Sequence, residues 1–190
     1  DKIALYYETL ENEKRPRADR MKEVAEFLAP HRAINTEVTD NPAEEHYGEN
    51  VYDGHPIDSV RKMVVGMFGN SVGPTSTWME QMVVNNRERY VSPDLDQWMR
   101  DADSKMYHLF AISNFYRAIY QAIRDGVTLG NASTIVRANG NSISYKTVNP
   151  FHYFFEEDEN QNLIIWMYRY PMTALKAWKM FGENIPQSVK

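Results

Sequence analysis

Four consecutive acidic side chains, Glu156, Glu157, Asp158 and Glu159, are the densest set of chemically capable groups in the chain. Paired carboxylates can hold magnesium through oxygen ligands, or divide the work of general acid and general base. Their setting points to something plainer. EEDENQN separates an aromatic run, FHYFF, from an apolar one, LIIWMYRY, so the carboxylates are expected in a solvated hairpin turn. Glu44-Glu45-His46 is the nearest approach to a metal-ligand cluster, and it too falls in a polar stretch. The histidines, His31, His46, His55, His108 and His152, offer no pair at helical zinc spacing. There is no HExxH, no G-x-S-x-G elbow, no P-loop and no GxGxxG fingerprint. No catalytic, cofactor-binding or metal-binding residue is therefore assigned, and no cofactor is expected.

Two further groups could meet nucleic acid. Lys14, Arg15, Arg17, Arg20 and Lys22 form the basic cluster, but Glu11, Glu13, Asp19 and Glu23 are interspersed with it, which reads as a solvated helix start. Trp166, Tyr168 and Tyr170 alternate on one face of a strand, as in a base-stacking platform. A platform also needs a cationic groove, and here the preceding turn is acidic with Arg169 as the nearby base. Leu163, Ile165 and Met167 make the opposite face apolar as well, and a strand apolar on both faces is normally covered on both. Trp166, Tyr168 and Tyr170 are therefore read as core plus subunit contact. A nucleic-acid-binding module built on them is the alternative.

The composition supports contact over catalysis. The chain has 190 residues, 43% of them hydrophobic, and a formal net charge of -5. That is enough for one sizeable core, and the acidic balance disfavours gripping DNA by phosphate neutralisation. The chain lacks cysteine, which excludes disulfides and thiolate zinc sites. No apolar run reaches the length of a membrane span, so no membrane partner is expected.

The elements that position these groups follow from periodicity and punctuation. Ile3 to about Asn12 predicts a helix, and Pro16 is expected to start a second one whose stripe of Met21, Val24, Ala25 and Leu28 ends at Pro30. His31 to His55 reads as a long loop. Pro56 opens a strongly amphipathic helix carrying Ile57, Val60, Met63, Val64, Met67 and Phe68. Trp78 to Val84 predicts a strand. Ser92-Pro93 is a helix start, with a kink or fresh cap at Ser113-Asn114 and an end at Asp125-Gly126. Asn139-Gly140 marks one hairpin and the acidic turn a second. Thr173 caps a last helix with Leu175, Trp178 and Phe181. The expected class is α+β: 1–126 mostly helical, 127–190 antiparallel β-hairpins plus a helix.

The order of these motifs resembles the podovirus (T7-like) portal, or head-to-tail connector, family. RPRADRMKEVAEFLAP resembles the family's early helix. YDGHPIDSVRKMVVGMFGNSVGPTSTWMEQMV is similar to its helix, loop and tryptophan-led strand. YHLFAISNFYRAIYQAIRDGVTLGNASTIV resembles its helix broken at Ser-Asn-Phe, and VNPFHYFFEEDENQNLIIWMYRYPMTALKAWKMFG its aromatic stretch, acidic turn, strand and helix. Met21 departs from the pattern, standing where a tryptophan is expected in many relatives. The resemblance implies a non-enzymatic virion protein of the capsid portal vertex, assembled in the host cytoplasm. It further implies a bacteriophage dodecameric ring through which double-stranded DNA passes during packaging and ejection. The implied partners are copies of itself, the major capsid and scaffolding proteins, the terminase large subunit and tail adaptor proteins. The chain would supply mainly the wing, with stem and clip beyond residue 190. The Asn35 to Asn50 loop and the strand of Trp166, Tyr168 and Tyr170 would contribute to the subunit contacts.

Overall fold

The structure, a computed structural model, describes residues 2–33, 51–82, 92–140, 142–169 and 172–182. Among the described residues, six helices and two antiparallel hairpins follow in the order helices, hairpins, helix, an α+β arrangement. The first helix, α1, runs unbroken over Lys2–Leu28 with Pro16 inside it. The expected break at Pro16 is therefore a correction. Pro16 removes one amide donor, but it and Asn12 both face solvent, where water can take the freed carbonyl. Pro30 ends the stripe as expected, and a short helix α2 follows over Pro30–Ala33. Most of the expected loop after it, including Asn35 to Asn50, lies outside the described residues.

Helix α3 spans His55–Val72, with Pro56 in its first turn. Its stripe is buried at Val60 and Val64, while Met63 and Met67 stay exposed. Phe68 meets Tyr116 and Tyr120 edge-on at 6.4 and 5.6 Å. The strand expected from Trp78 does not form over Trp78–Met82, which has no ladder partner among the described residues; Val83 and Val84 lie outside them. Side chains of α4, Pro93–Ile112, do the pairing instead. The Tyr107 hydroxyl accepts from the amides of Trp78 (2.9 Å) and Met79 (2.7 Å) and donates to the Met79 carbonyl (2.8 Å). The Asp103 carboxylate accepts from the Gln81 amide at 3.1 and 3.3 Å. Two side chains one helical turn apart thus satisfy the backbone that a sheet would have satisfied.

Ser113 and Asn114 separate α4 from α5, Phe115–Leu129. The Ser113 hydroxyl takes the Phe115 amide, and the Asn114 side chain pairs with the backbone of Tyr145, accepting its N–H at 2.8 Å and donating to its carbonyl at 2.6 Å. Helix α5 does not stop at Asp125-Gly126. It continues to Gly130, which closes it in the left-handed conformation at φ 80°. Strands β1, Ser133–Asn139, and β2, Ser142–Val148, form the first hairpin, with Asn139 opposite Ser142 and Gly140 in the turn at φ 56°. Strands β3, Tyr153–Glu157, and β4, Leu163–Tyr168, form the second, with an irregularity between Glu156 and Glu157. Helix α6, Ala174–Phe181, is capped by the Thr173 hydroxyl and ends at Gly182.

The core is narrow. Its buried apolar residues include Leu10, Ala25 and Ala29 of the first helical stretch with Val64, Ala118, Leu129, Val148 and Phe154, and α1 packs against α3, α5 and β3. Trp78 stacks on Phe110 and Phe115, whose rings lie 4.3 Å apart. Among the described residues no helix is long and apolar enough to cross a membrane.

Candidate functional site

The acidic run sits where the sequence placed it, at the turn between β3 and β4. Asp158 organises that turn. Its carboxylate accepts from the amides of Asn160 (2.8 Å) and Asn162 (2.7 Å) and from the Asn162 side chain (2.9 Å), and these bonds hold its pKa below the usual carboxylate value. Gln161 takes φ 64° to close the loop. Glu157 and Glu159 project into solvent. No group of three or more His, Asp or Glu side chains able to hold a metal ion occurs among the described residues. Glu44, Glu45 and His46 lie outside them.

Trp166 and Tyr168 share a face of β4, as the alternation requires; Tyr170 lies outside the described residues. Trp166 stacks on Tyr153 at 6.2 Å and meets Tyr168 at 5.9 Å, and Lys146 lies over the Tyr168 ring and donates to its hydroxyl. The Trp166 indole N–H is buried with no hydrogen-bond partner among the described residues. The two-sided cover expected for β4 is incomplete within one chain, since Leu163 and Ile164 remain exposed.

Two polar centres escaped the sequence reading. Asp125 is fully buried, held by a two-pronged bond from Arg32 (Nε to Oδ1 2.9 Å, Nη2 to Oδ2 2.6 Å) and by Gln121 at 2.8 Å. Burial pushes its carboxyl upward, against the pull of the Arg32 fork. The available signal was its place on the apolar stripe of α5, seven residues after Ala118 and four before Leu129. Lys14, read as part of a solvated cluster, instead turns inward. Its ammonium donates to the carbonyls of Pro150 and Tyr153 and lies 4.7 Å from the Phe154 ring centre. Beside it α1 and the start of the second hairpin enclose a cleft of about 570 Å³, walled by Arg15 and Lys22 on one side and Arg169 on the other.

What the described residues lack is a convergent reactive constellation. What they have is apolar side chains turned outward: Leu175, Trp178 and Phe181 on α6, Leu163 and Ile164 on β4, and Trp98, 64% exposed, on α4. Residues 1–190 match the family described as bacteriophage head to tail connecting protein. The chain belongs to that family. A head-to-tail connector is a structural component of the virion. The connector chain is also similar to a probable portal protein of Bordetella phage BPP-1, at 25% identity over 177 residues. That match covers 92% of this chain and 31% of the relative, so the chain spans about a third of the relative's length. The connector assignment agrees with the motif order read from the sequence, including the helix broken at Ser113-Asn114 and the acidic turn.

Proposed function

We propose that this chain is the wing-like part of a phage portal, a ring-forming channel that passes double-stranded DNA during packaging and ejection and works by contact without catalysis. The family match over the whole chain carries the reading. The outward apolar residues support it, because a ring needs two different complementary surfaces on every subunit. The ring is expected to be a dodecamer, with stem and clip supplied by chain beyond residue 190. Its partners at the vertex are the major capsid and scaffolding proteins, the terminase large subunit and the tail adaptors. The strand of Trp166, Tyr168 and Tyr170 contributes to the subunit contact, which would finish the cover that Leu163 and Ile164 lack.

Mass photometry and negative-stain micrographs of the full-length protein test this. Closed rings of uniform mass are expected. A full-length protein that stays monomeric at high concentration would refute the proposal.

A further inference from the structure

We propose that the acidic β3–β4 turn of one subunit seats in the basic cleft beside α1 of the next subunit. This rests on the ring-forming reading above and names the partner of that surface as a second copy of the chain.

The cleft has the right sign and lining. Arg15 and Lys22 are seven residues apart on α1, hence on one face, and both are exposed. Arg169 faces them across the opening and Lys14 lies deeper. Glu11 and Asp19 also line the cleft but leave it net positive; Glu11 lies 3.8 Å from Arg169. Phe151 and Phe154 supply an apolar floor.

The turn carries the matching charge. Asp158 commits its carboxylate to the loop's own amides, which ties the turn down. That leaves Glu157 and Glu159 as outward charges, and Leu163 and Ile164, at 58% and 59% exposure, stand beside them as apolar surface for the phenylalanine floor. The geometry points to a second copy as the source of the turn. Phe151, Phe154 and Arg169 wall the cleft at one end of the β3–β4 hairpin, and the turn is at its other end, about 15 Å away for strands of this length. A chain cannot fold its own turn back into that cleft without undoing the hairpin. Two different patches on one chain, an exposed acidic turn and a basic cleft, make a head-to-tail contact that repeats around a ring.

The test uses the full-length protein in four forms: wild type, Glu157→Lys with Glu159→Lys, Arg15→Glu with Lys22→Glu, and all four changes together. Mass photometry reads the subunit concentration at half-assembly, and circular dichroism confirms folding. Each pair of reversals is expected to raise that concentration at least about tenfold, and the quadruple variant to recover most of the loss, since like charges across a contact repel. Carbodiimide cross-linking of wild-type rings mixed from light and heavy subunits gives a reading free of variants. It is expected to join Lys22 to Glu157 or Glu159 between subunits. Rings that form in wild type but are indifferent to both reversals, or that lack the inter-subunit cross-link, overturn this contact alone. A wild-type protein that forms no ring overturns the ring-forming reading with it.

Discussion

Arg32 and Asp125, 93 residues apart in sequence, are joined by two near-parallel hydrogen bonds that tie the end of the first helical stretch to the last turns of α5. The Arg32 carbonyl also accepts from the Asn149 side chain at 3.1 Å, so the same residue reaches the turn before β3. One ion pair thus sits where helix, helix and hairpin converge. Removing one partner leaves the other charge buried and unanswered. Asp125→Ala is expected to cost about 3–5 kcal/mol in chemical denaturation. Replacing both, as Arg32→Met with Asp125→Leu, is expected to recover most of it, because the desolvation cost of the pair goes with the pair. A single variant as stable as wild type would remove the pair from the account of the fold.

Lys14 and Tyr153 give stability an alkaline signature with opposite signs. Burial brings the Lys14 ammonium down from 10.5 to about 8. Between those values the unfolded chain holds a proton that the folded one has released, so unfolding free energy rises with pH. Below about 8 both states are protonated and the contribution is flat. Tyr153 is pushed up from 10.0 to about 12, by burial first and the Asp125 charge second. There the folded chain keeps a proton the unfolded one has lost, so this contribution falls as pH climbs from 10 toward 12. Denaturation midpoints measured in steps across this range should show the rise vanish in Lys14→Met and the decline lessen in Tyr153→Phe, the Tyr7 hydroxyl, also raised by burial, supplying the remainder. A rise that persists in Lys14→Met would assign it to another group.

Tyr107 takes the place of a strand. Its hydroxyl holds the amides of both Trp78 and Met79, and these have no other partner among the described residues. Tyr107→Phe keeps the ring that meets Trp78 edge-on at 5.9 Å and removes only the oxygen. The expected cost is about 1–3 kcal/mol, the price of leaving partly buried amides unmade. Hydrogen exchange should quicken at Trp78 and Met79 while Gln81, held by Asp103, stays slow. Equal acceleration at all three would mean that the segment is held by something other than these side chains.

The case of Tyr107 shows where the sequence was legible and where it was not. Helices α3, α4 and α6 announce themselves through Pro56, Ser92-Pro93 and Thr173 and through apolar stripes, because caps and period are local properties. Both hairpins are visible for the same reason. The break at Ser113-Asn114 is visible too, but not that Asn114 reaches 31 residues ahead to Tyr145. Trp78–Met82 has strand composition without a strand's partner, and only the fold reveals that α4 answers for it. Pro16 misled because a helix tolerates proline when the lost bond faces water. Asp125-Gly126 looked like a helix end because the charge that makes Asp125 tolerable inside comes from Arg32, far away in the chain. The charged clusters around Lys14 and Glu157 each read as solvated surface. Only the fold shows that Lys14 of α1 packs against the start of the second hairpin while Glu157 lies at that hairpin's turn.

Asn114 offers a last test of that long-range logic. Its side-chain amide meets the Tyr145 backbone as a neighbouring strand would, donating to the carbonyl and accepting from the N–H. This docks the junction of α4 and α5 onto the outer edge of β2, next to the contact of Phe115 with Tyr145 at 5.1 Å. Asn114→Ala forfeits both bonds at an exposed site where water can replace them, so about 0.5–1.5 kcal/mol is expected. Asn114→Asp separates the two halves of the interaction. A carboxylate still accepts from the Tyr145 amide but sets a negative oxygen against its carbonyl, so it is expected to be no better than alanine at neutral pH. Lowering the pH to protonate it should restore a donor and recover stability relative to alanine. If aspartate matches the wild type at neutral pH, the donated bond contributes nothing, and the docking of the junction rests on the packing of Phe115 against Tyr145.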